Sequence, residues 1–121
     1  MKYLIERPFT TVLGGSFRMK GVRGDPEATT DGATVGEVLY WLLESYSPQS
    51  LQHPLNLGEL RRLNRLIECF GEPAEFYAVE DSDFELLLRV APQMAIVASP
   101  RNAPLVEDAI REASKEKPRE G

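Results

Sequence analysis

Two capping boxes fix the frame of this fold: Thr34-Val35-Gly36-Glu37 and Asn56-Leu57-Gly58-Glu59. In each, a short polar side chain accepts from the amide three residues on, while the glutamate reaches back to the cap's own amide. A helix started at Thr34 gathers Val35, Val38, Leu39, Leu42, Leu43 and Tyr46 on one stripe and leaves Trp41 off it. Ser47-Pro48 ends that helix, and Gln49 to Leu55, with His53-Pro54 inside it, reads as a connection. A helix started at Asn56 turns Leu60, Leu63, Ile67 and Phe70 to one side and Arg61, Arg62 and Arg65 to the other. Gly71 is its expected left-handed stop.

Carboxylates in Glu80-Asp81-Ser82-Asp83 are placed to meet the positive end of a third helix, with Phe84, Leu87, Leu88 and Ala91 following at helical spacing. Pro92 is predicted to close it, and Met94 to Ala98 reads as a short strand or buried turn. Asn102 then caps a last helix with Pro104 in its first turn and Leu105, Ala109, Ile110 and Ala113 inward. Ahead of the helices, Pro8 to Val22 reads as a β-hairpin. Phe9–Leu13 and Ser16–Met19 flank a Gly14-Gly15 turn, and Lys2 to Ile5 offers a third strand. Gly21 to Ala33 has turn chemistry throughout and reads as a surface loop; Ala74 to Val79 reads as a short extended link.

The expected fold is therefore α+β: an N-terminal β-hairpin followed by a compact bundle of about four short helices. A length of 121 residues suits one domain. It divides into a lobe at 1–22, a loop at 23–33, a helical core at 34–113 and a polar tail at 114–121. The net charge of −5 is uneven: Lys2, Arg7, Arg18, Lys20 and Arg23 stand against Glu6 alone in residues 1–23, +4, which leaves −9 for the rest. Either the two parts attract each other within the fold, or the basic lobe is offered to an acidic partner.

No apolar run approaches the roughly 20 residues that span a bilayer, and the opening Met1 to Pro8 is too short and too charged for a signal-peptide core. A lone cysteine, Cys69, fits a reducing compartment. The expectation is a cytoplasmic protein with no membrane contact.

Catalytic constellations do not assemble from this residue set. His53 is the one histidine, so a His–Cys pair or a two-His metal site has no second member, and beside Pro54 it reads as an exposed turn residue. Cys69 reads as a half-buried helix residue. Residues 80–85 lack the glycine and distant glutamate of a calcium loop, and helix capping accounts for their acids. Gly14-Gly15-Ser16 lacks the helix and Lys-Ser/Thr of a phosphate loop. Arg23-Gly24-Asp25 spells the adhesion-receptor tripeptide, but nothing here directs export. No catalytic residue, metal site or cofactor is expected. Residues singled out for interaction are Arg18, Lys20, Arg23, Trp41, Arg61, Arg62 and Arg65.

The blocks Thr34-Val35-Gly36-Glu37-Val38-Leu39, Leu57 to Leu66 and Val79 to Leu87 follow in an order that resembles small proteins of tailed-bacteriophage genomes. In those, an Arg-bearing second helix and an acidic-capped third are followed by a short last helix. The resemblance covers residues 34–113 and implies an accessory or assembly factor, carried in the virion or working in the host cytoplasm. The expected function is thus a non-enzymatic protein–protein interaction and assembly protein whose partners are other proteins, copies of itself included. The alternative is a nucleic-acid-associated or host-transcription regulator using the Arg61, Arg62, Arg65 face.

Overall fold

In a computed structural model that describes residues 1–118, both capping boxes open helices. At α1 (Val35–Glu44) the Thr34 hydroxyl accepts from the Glu37 amide at 3.3 Å, and the Glu37 carboxylate accepts from the Thr34 amide at 2.9 Å. At α2 (Leu57–Phe70) Asn56 and Glu59 make the same exchange at 2.9 and 3.1 Å. Replacing Thr34 with alanine is expected to cost about 1 kcal/mol in urea unfolding, since one orphan amide of the first turn loses its acceptor. The connection between the two helices is held by the Leu55 amide, which donates to the Tyr46 hydroxyl at 2.9 Å.

The expected left-handed stop at Gly71 is not there: this residue has φ −71° and ψ −17°. The helix ends because Glu72 precedes Pro73, and a pre-proline residue is driven out of the helical region.

The third helix corrects a second expectation. α3 runs from Asp81 to Ala98 straight through Pro92, so Met94 to Ala98 is helical and neither strand nor turn. An interior proline costs about 3 kcal/mol. Here Val90, Ala91, Met94 and Ala95 continue one buried stripe across it, and α3 packs against α4 (Ala103–Arg111) along that face. Asn102 sits before α4 without capping it; its side chain is turned to other partners, described below. Val106 is buried in α4 and Leu105 only half so, alongside the expected Ala109 and Ile110.

As the α+β reading requires, the β-structure is antiparallel and three of its strands are N-terminal, but the fourth comes from mid-chain and the strands pair differently. β1 (Lys2–Ile5) joins β4 (Phe76–Val79), with Leu4 opposite Tyr77. Tyr3 and Ser114 exchange both backbone hydrogen bonds, at 2.7 and 2.9 Å, which ties the exit of α4 to β1. The hairpin is β2 (Met19–Val22) with β3 (Asp25–Thr30), so a strand occupies much of the expected 23–33 loop. Its turn centres on Arg23 and Gly24, with φ 47° and 82°. Positive φ at both central residues is the primed geometry that matches strand twist. Around Gly14-Gly15 a turn does form, but its ladder is a single Thr10–Ser16 bridge. Of the polar tail, Ser114 is bridged as stated, and 119–121 lie outside the described residues.

All four helices feed one core. Leu39, Leu42 and Leu43 of α1, Leu66 and Phe70 of α2, Leu87 and Val90 of α3 and Ile110 of α4 are its most enclosed side chains.

Candidate functional site

The seven side chains singled out for interaction do not converge. Arg18 is exposed and faces Asp31 at 3.4 Å; Lys20 and Trp41 line one cleft of about 410 Å³ with Asp25 and Glu44. Trp41 is half-buried against Phe17, ring centres 5.8 Å apart. On α2, Arg61 and Arg62 are exposed, whereas Arg65 grips the buried Asp83 with two hydrogen bonds, 3.2 and 2.8 Å. Arg62 shares a shallow cleft with Glu59, Glu85 and Arg89, and Arg89 is itself paired with Glu59. That face is mixed in sign. Asp83, expected as a helix-capping acid, is the partner of Arg65, and Glu80 makes no capping bond.

Arg23 is engaged inside the fold. Its Nε donates to the Phe70 carbonyl at 2.9 Å; its Nη2 donates to the Tyr77 hydroxyl at 2.7 Å and to Glu6 at 3.3 Å. The Tyr77 hydroxyl donates in turn to Glu6 Oε2 at 2.5 Å, the Thr34 hydroxyl to the same oxygen at 2.9 Å, and the Gly36 amide to Oε1 at 3.0 Å. Arg7 pairs with Glu112, and Arg23 also stands 3.7 Å from Glu37. Three arginines of the basic segment thus pair within the chain.

The pinning of Tyr77 has a measurable consequence. Burial, then the hydrogen bond to Glu6, then the charge of Glu6 push its phenol well above the usual range. A raised folded-state value means the folded chain holds the proton longer than the unfolded one, so this residue's contribution falls as pH climbs past about 10. Stability relative to Tyr77→Phe should decline through that alkaline window in urea unfolding, and a constant difference would show that Tyr77 ionises freely.

An apolar cleft that was not legible in the sequence lies between the Thr11–Leu13 turn and residues Ala98–Asn102, with a volume of about 590 Å³. Its turn is stapled. The Thr11 amide donates to the Gly15 carbonyl at 2.9 Å, the Gly14 amide to the Thr11 carbonyl at 2.9 Å, and the Gly15 amide to the Thr11 hydroxyl at 3.2 Å. Gly14 supplies φ 81°. Asn102 reaches across: its Oδ1 accepts from the Val12 amide at 3.0 Å and its Nδ2 donates to the Ser99 hydroxyl at 2.9 Å. Held this way, Leu13 is 88% exposed and Val12 54%. Just before the opposite wall, Ile96 and Val97 at the end of α3 are 58% and 68% exposed.

No protein-family model, no curated protein and no solved structure matches the chain. What this surface can do therefore rests on its chemistry. It offers apolar area on a braced frame. Elsewhere, the Cys69 thiol is half-buried, donates to the Ala78 carbonyl at 3.7 Å and is pushed up by burial, which suppresses the reactive thiolate. His53 is exposed. Among the described residues no three His, Cys, Asp or Glu side chains converge on one point, and no helix is long and apolar enough to cross a membrane.

The missed signal was in α3. Val90, Ala91, Met94 and Ala95 keep helical spacing across Pro92. Followed through, that stripe leaves Ile96 off it, as an apolar residue without an inward place, whereas Val97 keeps the spacing of Val90 and Met94 and is exposed because it lies in the last turn of α3.

Proposed function

We propose that this protein is a non-enzymatic interaction and assembly factor that works by docking on another protein, in keeping with its resemblance to small phage-genome proteins. The virion or the cytoplasm of the infected cell is the setting that resemblance implies. The observation that carries the reading is Leu13, displayed at 88% exposure on a turn braced by Asn102. A chain gains nothing in its own stability by holding a leucine in water on a rigid mount, whereas a binding surface gains apolar area already ordered. Nucleic acid is the less supported partner, because Arg65 is committed to Asp83 and carboxylates stand among the remaining arginines of that face.

Leu13→Asp tests the reading, since Leu13 touches no core and the variant should unfold at the same urea concentration as the parent. In affinity capture from cells carrying the gene, the proteins retained by the parent should be lost by the variant, with about a tenfold or greater drop in affinity once one is isolated. Equal capture by both, or turnover in a screen of nucleotide, peptide and ester substrates, would refute it.

A further inference from the structure

We infer that the cleft between Leu13 and Pro100 takes an amphipathic protein segment that puts apolar side chains into the cleft and a carboxylate against Arg101. This rests on the docking reading above and adds the chemistry of the occupant.

The argument starts from which groups in the cleft remain unspent. The Val12 amide is given to Asn102, the Asn102 amide group to Ser99, and the Thr11 hydroxyl accepts from Gly15. Each of these polar groups already has a partner within the chain. What remains is apolar surface from Val12, Leu13, Ala98 and Pro100, and one charge, the exposed Arg101 at the same cleft. Among the described residues no carboxylate lines the cleft and Arg101 has no ion-pair partner. Arg7, Arg18, Arg23, Arg65, Arg89 and Arg111 each face an acid; Arg61 and Arg62 of α2 are also exposed and in no ion pair, but Arg62 shares its cleft with Glu59 and Glu85, whereas Arg101 stands beside apolar surface. In a chain with more acids than bases, an arginine left unmatched beside apolar surface selects a partner of opposite sign.

A second copy of the chain fits poorly. Two clefts placed face to face would bring Arg101 against Arg101 with no acid in either lining to separate them. A volume of about 590 Å³ accommodates a few large side chains, on the scale of the i, i+3, i+4 anchors that an amphipathic helix lays into a groove.

The test uses the full chain and three synthetic 16-residue helical peptides that share one leucine stripe and differ at its flank, carrying Glu, Gln or Lys. Amide NMR titration maps where each binds and reads affinities into the millimolar range. The expected result is movement of resonances from residues 11–13 and 98–102, with the Glu peptide about fivefold tighter than the Lys peptide. That preference should vanish in Arg101→Ala and in high salt, while Leu13→Asp weakens all three. Equal affinities for the three peptides, still lost in Leu13→Asp, would overturn the acidic occupant and leave the docking reading standing. No movement with any peptide would overturn both at this cleft. Leu13-dependent self-association in sedimentation velocity, or Leu13-dependent binding to phosphatidylserine vesicles, would likewise replace the acidic segment with another occupant.

Discussion

Gly36→Ala should destabilise the protein by about 3 kcal/mol or more, although a glycine inside a helix is ordinarily improved by alanine. A Cβ at this position overlaps the Tyr77 hydroxyl oxygen and lies 2.6 Å from Glu6 Oε2 and 2.7 Å from Tyr77 Cζ. Neither neighbour is free to move. Tyr77 is buried, packs edge-on against Phe70 with ring centres 4.9 Å apart, and is hydrogen-bonded to both Glu6 and Arg23. Making room breaks the cluster that accepts the Gly36 amide, so steric strain and lost hydrogen bonds add. Gly58 is the control. It holds the same place in the second capping box, yet a Cβ there meets only Asn56 Oδ1 at 3.4 Å. Gly58→Ala should therefore be neutral or stabilising by up to about 1 kcal/mol. Urea unfolding of the two variants side by side decides it, and equal effects would mean that the Glu6–Tyr77 cluster does not press on α1.

That contrast also marks how far the sequence could be read. Thr34-Val35-Gly36-Glu37 and Asn56-Leu57-Gly58-Glu59 are alike as strings, and the start of each helix follows from bonds made within four residues. What separates Gly36 from Gly58 is a contact with Glu6 and Tyr77, brought together by the pairing of β1 with β4 across most of the chain. Local chemistry is legible; such long-range pairing leaves no mark in a window of residues. The β2–β3 hairpin was missed for a nearby reason: its turn puts an arginine, a residue seldom chosen for that role, at φ 47°. The strain is offset by the bonds Arg23 makes from there, none of which its neighbours in sequence announce. At the candidate site the errors compound. Phe9–Leu13 read as a strand gave Leu13 an ordinary place in a sheet, and Pro92 read as a stop hid Ile96 and Val97. Only with the turn folded and α3 continued do those apolar residues come to the surface.

The largest coupling in the molecule is expected between Arg23 and Glu6. Arg23→Ala removes a cation that faces both Glu6 and Glu37, whose side chains are 15% and 14% exposed, and it also strands the Phe70 carbonyl. Breaking a largely buried ion pair from one side costs about 3 kcal/mol, most of it the uncompensated charge left behind. Glu6→Ala should cost a similar amount, because Tyr77, Thr34, Arg23 and the Gly36 amide all donate to its two oxygens. Glutamine is no remedy at this position. Either orientation of its amide turns an NH₂ group toward donors, so Glu6→Gln should be nearly as destabilising as Glu6→Ala. Removing both partners leaves no unpaired charge between them, and the double variant Glu6→Ala/Arg23→Ala should be more stable than the sum of the single losses by about 1 kcal/mol or more. Chemical unfolding of the four proteins measures this directly. Strict additivity, or a silent Glu6→Gln, would show that the carboxylate is not the acceptor on which β1, the hairpin turn and the start of α1 converge.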